Sequence, residues 1–309
     1  MQSKTTLSIV LPCKNEAKSL ETITNRIIII ANDLDVNLEL LIIDDGSSDE
    51  TWEIIKSLKN RHKCIRGLKF YKNFGKEAAI YAGLSHATGD ALILMDADLE
   101  HPTDLIKDMY KLWSEKNLST VLCVKKNTNR NSLLKDFGAY ITYKLLRILS
   151  HIDLKNSSDF MLLDKKIYKQ LSSLKEYNTF FRGQVAWYFG KEKEILYFTP
   201  ETQKQRKSNW NILKLLELSL DAIISFTIIP LRVLSFIGIV FILCSLLLIA
   251  QTLIMFFLGK SLEGFTTVIT LILLMGGFII LGIGIIGEYV GKIYEEVKER
   301  PKYLIKEEI

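Results

Sequence analysis

The chain has no cysteines at metal-ligand or redox spacing. Its four, Cys13, Cys64, Cys123 and Cys244, are scattered through 309 residues. That excludes a zinc module or a thiol-redox motif and fits a reducing compartment. No basic block interleaved with aromatics occurs, and the net charge is a modest +5. Nucleic acid is therefore not an expected partner. The N-terminal MQSKTTLSIVLPCKNE holds only a short apolar run, so no secretory signal peptide is expected. PCKNEAKS, after the first apolar run, has no glycine. That argues against the Gly-rich triphosphate loop of a nucleotidyltransferase.

Two segments lack charge altogether. Val233–Gly259 and Gly264–Gly287 run for 27 and 24 residues. Both exceed the ~20 residues that cross a hydrocarbon layer, which argues against buried core helices. The intervening Lys260–Glu263 is short and charge-balanced, so the two spans read as a hairpin. Arg232, Lys292, Lys298, Arg300 and Lys302 flank it and predict cytoplasmic termini at the cytoplasmic membrane. Gly287 and Gly291 form a GxxxG pair, a weak pointer to helix contact and a homo-oligomer. Upstream, Trp210–Ile229 predicts a helix with Lys214, Glu217 and Asp221 on one face and apolar residues elsewhere. That pattern suits a helix lying in the membrane interface, ended by Pro230.

The first two thirds alternate apolar strands with helical segments. TTLSIVLPC, LELLIIDD, IRGLKFY and ALILMDAD read as strands, with helices over Ser19–Asn32, Thr51–Lys59 and after Gly75. Continuous apolar runs point to a mostly parallel α/β sheet covered on both faces. Ligands in such sheets bind beyond the carboxyl ends of the strands. Asn15–Glu16, Asp44–Asp45 and Asp96–Asp98 all fall at such ends. The segment from Val121 to Pro200 is less regular, with a basic patch of Lys125, Lys126 and Arg130 and a helical pattern over Leu133–Leu149.

Asp96, Asp98 and Glu100 alternate, so a persisting strand would place all three on one face. Hard carboxylate oxygens suit Mg²⁺ or Mn²⁺ shared with substrate phosphates. Such an ion would neutralise charge on a leaving diphosphate. The other reading is a solvated acidic turn. Asp44 or Asp45 can accept hydrogen bonds from a base or ribose, while Ser48 or Asp49 can cap the next helix. Gly75 and Lys76 open a helix and can hold an anion. Lys204, Arg206 and Lys207 can grip a lipid phosphate, or simply attract anionic head groups. Asp159 can orient or activate an acceptor, or serve as a cap.

LSIVLPCKNE, LIIDDGSSDET and NFGKEAAIYAGLSHATGDALILMDADLEHP together resemble the family 2 glycosyltransferases of GT-A fold. The closer resemblance is to polyprenyl-phosphate glycosyltransferases, the group of dolichol-phosphate mannose synthases and bactoprenol glucosyltransferases. SSDFMLLDKKIYKQL resembles the acceptor-side segment, and the terminal hairpin resembles the bactoprenol subgroup. The resemblance implies inverting transfer from a nucleotide sugar to a polyprenyl phosphate. Pro12, Asn15, Glu16, Asp44, Asp45, Gly75, Lys76 and Asp96 would hold the nucleotide sugar. Asp96, Asp98 and Glu100 would hold Mg²⁺ or Mn²⁺, with Glu100 where relatives often have Gln. Asp96, Asp98 and Asp159 would be catalytic. Lys125, Arg130, Lys204, Arg206, Lys207 and Ser208 would meet the lipid phosphate. Two positions depart from the family pattern. Met161 stands where many relatives have Arg, and Asn209 where the basic loop has Lys.

The expected organisation is a GT-A domain over 1–207, an interfacial helix over 208–230, a two-span hairpin over 231–291 and a cytoplasmic tail over 292–309. UDP-glucose is the favoured donor and undecaprenyl phosphate the acceptor, with GDP-mannose, UDP-galactose or an amino sugar left open. A processive polysaccharide synthase would need more spans and a QxxRW motif, which the sequence lacks. A non-catalytic nucleotide-sugar-binding scaffold is the remaining rival.

Overall fold

The structure is a computed structural model. It describes residues 4–116, 118–126, 158–174, 176, 180–189, 193–199, 224, 227–259 and 264–309. The chain divides into two compact units, Met1–Ile212 with Arg300–Ile309, and Leu213–Glu299.

The first unit is built on β1 (Thr6–Cys13), β2 (Asn37–Asp44), β3 (Ile65–Phe70) and β4 (Ala91–Leu94). α1 (Leu20–Asp33), α2 (Thr51–Arg61) and α3 (Lys76–His86) connect them. The four strands pair in parallel, in the order β4-β1-β2-β3. Alternation along β1 explains the double-sided core. Leu7, Ile9, Leu11 and Cys13 enter one apolar layer with Ile23, Ile27 and Ile55. Val10 enters the other with Ala79, Ile80 and Leu84 of α3. α3 lies close on the sheet because Gly83 has no side chain. A Cβ there would sit 2.2 Å from Val10 Cγ1.

Beyond β4 come α4 (Leu105–Lys116), β5 (Thr120–Lys125), β6 (Met161–Asp164), α5 (Lys165–Ser172), α6 (Phe181–Phe189) and β7 (Lys193–Phe198). β6 runs antiparallel between β4 and β5, with Met161 opposite both Leu94 and Leu122. This reversal brings the start of β6 to the edge where β4 ends. Asp159 and Phe160 therefore arrive beside the DAD segment. The mostly parallel α/β sheet is as expected.

Three expectations are corrected. First, β4 stops at Leu94, so Asp96, Asp98 and Glu100 do not share a strand face. Local hydrogen bonding wins over strand extension. Asp98 Oδ1 accepts from the Glu100 amide at 3.0 Å, and Leu99 adopts φ 64°. Second, part of the segment expected as a tail completes the sheet. β8 (Ile305–Glu308) pairs antiparallel with β3 at its outer edge. Gly67 and Ile309 exchange two backbone hydrogen bonds at 3.0 Å. Tyr303 stacks on Phe70 at 5.1 Å. Third, Pro230 does not end a helix. It lies in the first turn of α7 (Ile229–Phe257), where a missing N–H breaks no helical bond.

The second unit contains α7 and α8 (Phe265–Val297). Their windows Ile229–Met255 and Val268–Val297 are long and apolar enough to cross a membrane. They are 0% and 6% buried, so neither is a core helix. α8 continues ten residues past Gly287. The two helices meet at Gly282, where a Cβ would lie 3.1 Å from Leu234 Cδ2, and at the Phe241–Phe278 ring pair. Gly287 and Gly291 touch nothing comparable within the described residues. The helical expectation over Leu133–Leu149, and that over Trp210–Ile229 apart from 224 and 227–229, lie outside the described residues.

Candidate active site

The carboxyl ends of β1, β2 and β4 gather three polar loops. Cys13 pairs with Asp44 across β1 and β2, and Pro12 with Ile43. Asn15, at φ 57°, turns its side chain onto the next loop. Its Oδ1 accepts from the Ser48 amide at 2.9 Å, and its own amide donates to Ser47 Oγ at 2.9 Å. The Glu16 amide donates to Thr51 Oγ1 at 3.0 Å, and its carboxylate accepts from Ser19 Oγ. The two loops are thus clasped by side-chain-to-backbone bonds.

Asp44 and Asp45 divide their work. Asp44 is fully buried. Its Oδ1 accepts from the Ser47 amide at 2.9 Å, while its buried Oδ2 has no partner within the described residues. An unsatisfied carboxylate oxygen is an acceptor in want of a donor. Asp45 spends both oxygens on backbone, taking the Phe74 amide at 2.7 Å and the Gly75 amide at 3.0 Å. Burial raises its carboxyl above the ordinary value, against the pull of those amides. Gly46 permits the turn that follows them. Its φ is 66°, and a Cβ would sit 2.6 Å from the Lys72 carbonyl carbon.

This corrects one expectation. The Gly75 amide is not open to an outside anion, because Asp45 already occupies it. Lys76 is also engaged, at 2.6 Å from Asp96 Oδ1 and 2.7 Å from Asp159 Oδ2. Burial lowers the Lys76 ammonium, but the charges of Asp96 and Asp159 outweigh it and raise it overall.

Asp159 is more enclosed than Asp96, with its side chain 8% exposed against 29%. Arg182 Nε donates to Oδ1 and Arg182 Nη2 to Oδ2, both at 2.5 Å. Burial pushes the carboxyl up, yet Arg182 and Lys76 together hold it down at about 2. Neighbouring Glu77 accepts the Phe181 amide at 3.0 Å. Burial raises its carboxyl to about 7.

Sequence reasoning passed over Arg182, Glu77 and His101. His101 stacks on Phe160 at 4.7 Å and accepts the Asp96 amide on Nδ1 at 3.1 Å. Burial lowers its imidazole below the ordinary range, which suits a neutral ring accepting that bond. The only sequence signal for it was the His-Pro pair that follows the acids.

The triplet itself is dispersed. Asp96 binds Lys76, Asp98 braces its own turn, and Glu100 sits 3.7 Å from Lys125. Among the described residues no group of three or more His, Cys, Asp or Glu is placed to hold a metal. Lys125 ends β5 at this same edge, paired with Glu100. Arg130, Lys204, Arg206, Lys207 and Ser208 lie outside the described residues.

The mostly parallel α/β sheet thus carries carboxylates and a Lys–Asp–Arg network at the carboxyl ends of its strands. The chain belongs to glycosyl transferase family 2, whose family model matches residues 8–172. It is a glycosyltransferase. Its relatives match almost end to end. It is 34% identical to an uncharacterized glycosyltransferase of Synechocystis, over 97% of this chain and 94% of that one. It is 34% identical to the SfII prophage-derived bactoprenol glucosyl transferase of Shigella flexneri, over 97% of each. Among solved structures, mannosyl-3-phosphoglycerate synthase from Rubrobacter xylanophilus shares the fold. Its TM-score is 0.50 at 13% identity, over 72% of this chain and 73% of that one.

Proposed function

We propose that the chain transfers glucose from UDP-glucose to undecaprenyl phosphate, with inversion, at the cytoplasmic face of the membrane. The observation that carries this reading is the end-to-end similarity, hairpin included, to proteins named bactoprenol glucosyl transferase. Supporting it, the apolar helices lie in the same chain as the carboxylate edge, so donor site and lipid anchor travel together. Residues before and after the hairpin belong to one folded unit, which is compatible with two crossings. The basic flanks favour the cytoplasmic side.

Asp44 is the natural partner for a base or ribose donor, since its Oδ2 lacks one. Asn15 and Glu16 lie on the neighbouring loop, which is hydrogen-bonded to the one that follows Asp44. For a divalent cation the donor set is hard oxygen, and Mg²⁺ commonly takes one or two carboxylates plus substrate phosphates. Asp96, Asp98 and Glu100 supply such oxygens, and each would exchange its present partner, Lys76, the Glu100 amide or Lys125, for the ion. Such an ion, when bound, would offset the charge developing on the leaving diphosphate. The lipid phosphate is already an anion at neutral pH and needs little deprotonation. The protein's larger tasks are orientation and charge stabilisation. Asp159, clamped by two cations, is ill-suited to act as a base.

The test is a transfer assay with purified protein, undecaprenyl phosphate, Mg²⁺ or Mn²⁺ and labelled UDP-glucose, UDP-galactose, GDP-mannose and amino-sugar donors. Label entering the lipid phase from UDP-glucose, and lost with a chelator or in Asp98→Ala, is expected. Transfer from another donor reassigns the sugar. No transfer from any donor, with nucleotide still bound, favours a scaffold.

A further inference from the structure

Arg182 meets Asp159 side-on, through Nε and Nη2. A guanidinium has five N–H donors in a fixed fork, so this contact leaves Nη1 uncommitted among the described residues. The Arg182 side chain is 42% exposed, while Asp159 beneath it is 8% exposed. The carboxylate is therefore the buried support and the guanidinium the accessible face. The support is itself fixed from the other side by Lys76, also 42% exposed, which reaches on to Asp96.

The backbone keeps the two cations together. Lys76 and Glu77 are consecutive in α3, and Phe181 and Arg182 consecutive in α6. Glu77 binds the Phe181 amide across the two helices. One turn further, Tyr81 and Gln184 hydrogen-bond, and the Tyr81 and Phe181 rings meet edge to face. α6 is thus pinned to α3 at two levels. An arginine held in this way has lost its side-chain freedom before any ligand arrives, which lowers the cost of binding. A planar fork with free N–H groups matches phosphate oxygens.

We propose that Arg182 binds a phosphate oxygen of a substrate, with Asp159 as the residue that positions it. The inference rests on the glycosyl-transfer reading above. It replaces a base role for Asp159 with an indirect one. The shared chemistry is a phosphate oxyanion, from either the lipid phosphomonoester or the donor diphosphate.

Arg182→Lys, Arg182→Gln and Asp159→Asn in the full-length protein, in lipid nanodiscs, test it. Losing one charge-assisted contact should weaken the affected substrate about 10–100-fold. A rise in KM for undecaprenyl phosphate, with UDP binding by calorimetry unchanged, assigns Arg182 to the acceptor. A matching loss in UDP binding assigns it to the donor diphosphate. Asp159→Asn should follow the Arg182 variants in the same parameter and leave the shape of the pH–rate profile unchanged. Unaltered KM and UDP binding in folded Arg182→Lys would overturn the proposal. So would an Asp159→Asn variant that loses only kcat and shifts the pH profile. If Arg182→Gln does not fold, Arg182→Lys decides, since it keeps a cation against Asp159 but loses the fork. If wild-type protein transfers no sugar, the UDP and undecaprenyl phosphate binding arms still read Arg182 separately from the reaction.

Discussion

Lys76 bridges Asp96 and Asp159, with its ammonium 2.6 Å from one carboxylate and 2.7 Å from the other. A single cation thus joins the end of β4 to the start of β6. Its removal leaves Asp159 with Arg182 alone and Asp96 without its ion-pair partner. Lys76→Met should lower stability by about 1–3 kcal/mol and reduce turnover more than tenfold. Thermal unfolding beside the transfer assay separates the two effects. A variant with wild-type turnover would make the bridge ornamental.

Glu77 gives stability a pH dependence of known sign. Its folded carboxyl titrates at about 7, well above the ordinary 4.5. The folded protein therefore keeps a proton that the unfolded chain has released. The contribution is complete below the unfolded value and is lost as pH rises through about 7. Glu77→Gln stays uncharged and can still accept the Phe181 amide. Its melting temperature relative to wild type should rise across that interval. An offset that does not change with pH contradicts this account.

Gly83 should resist substitution for packing reasons alone. An added methyl meets Val10 Cγ1 at 2.2 Å, in the middle of the helix–sheet contact. Gly83→Ala should cost about 1–3 kcal/mol, the range for overpacked cores. Val10→Ala introduced together with it should recover part of the loss. Denaturation of the single and double variants measures both, and full additivity would show that the two residues are not in conflict.

Trp52 Nε1 donates to Glu307 at 3.0 Å, and Arg66 Nη2 lies 3.2 Å from Glu308. These bonds fasten β8 to the sheet. Removing residues 303–309 would strip the Tyr303 ring from Phe70 and uncover the β3 edge. We expect a lower melting temperature and faster proteolysis of the catalytic unit. Trp52→Phe should show a weaker form, about 1 kcal/mol. Unchanged protease resistance in the truncated chain would mean that β8 is dispensable.

The legible parts of this protein were those with long, repetitive signals. β1 and β2 were plain from continuous apolar runs, and the two apolar helices from their missing charge. The acidic edge followed from the strands that deliver it. β6 and β8, four residues each, carry too few side chains for periodicity to register. Their places depend on partners distant in sequence. The alternation of Asp96, Asp98 and Glu100 misled for a related reason. Period two describes a strand only while backbone pairing lasts, and the Asp98 side chain captures the next turn instead. Arg182 gave no local sign, because its role arises from a carboxylate 23 positions earlier.

β8 also imposes an order on biogenesis. The outermost strand of the catalytic sheet is translated after both apolar helices, so the β3 edge stays bare until the ribosome has passed them. An open edge is a template for unwanted pairing. A chain that stops before Ile305 would therefore carry an unfinished sheet.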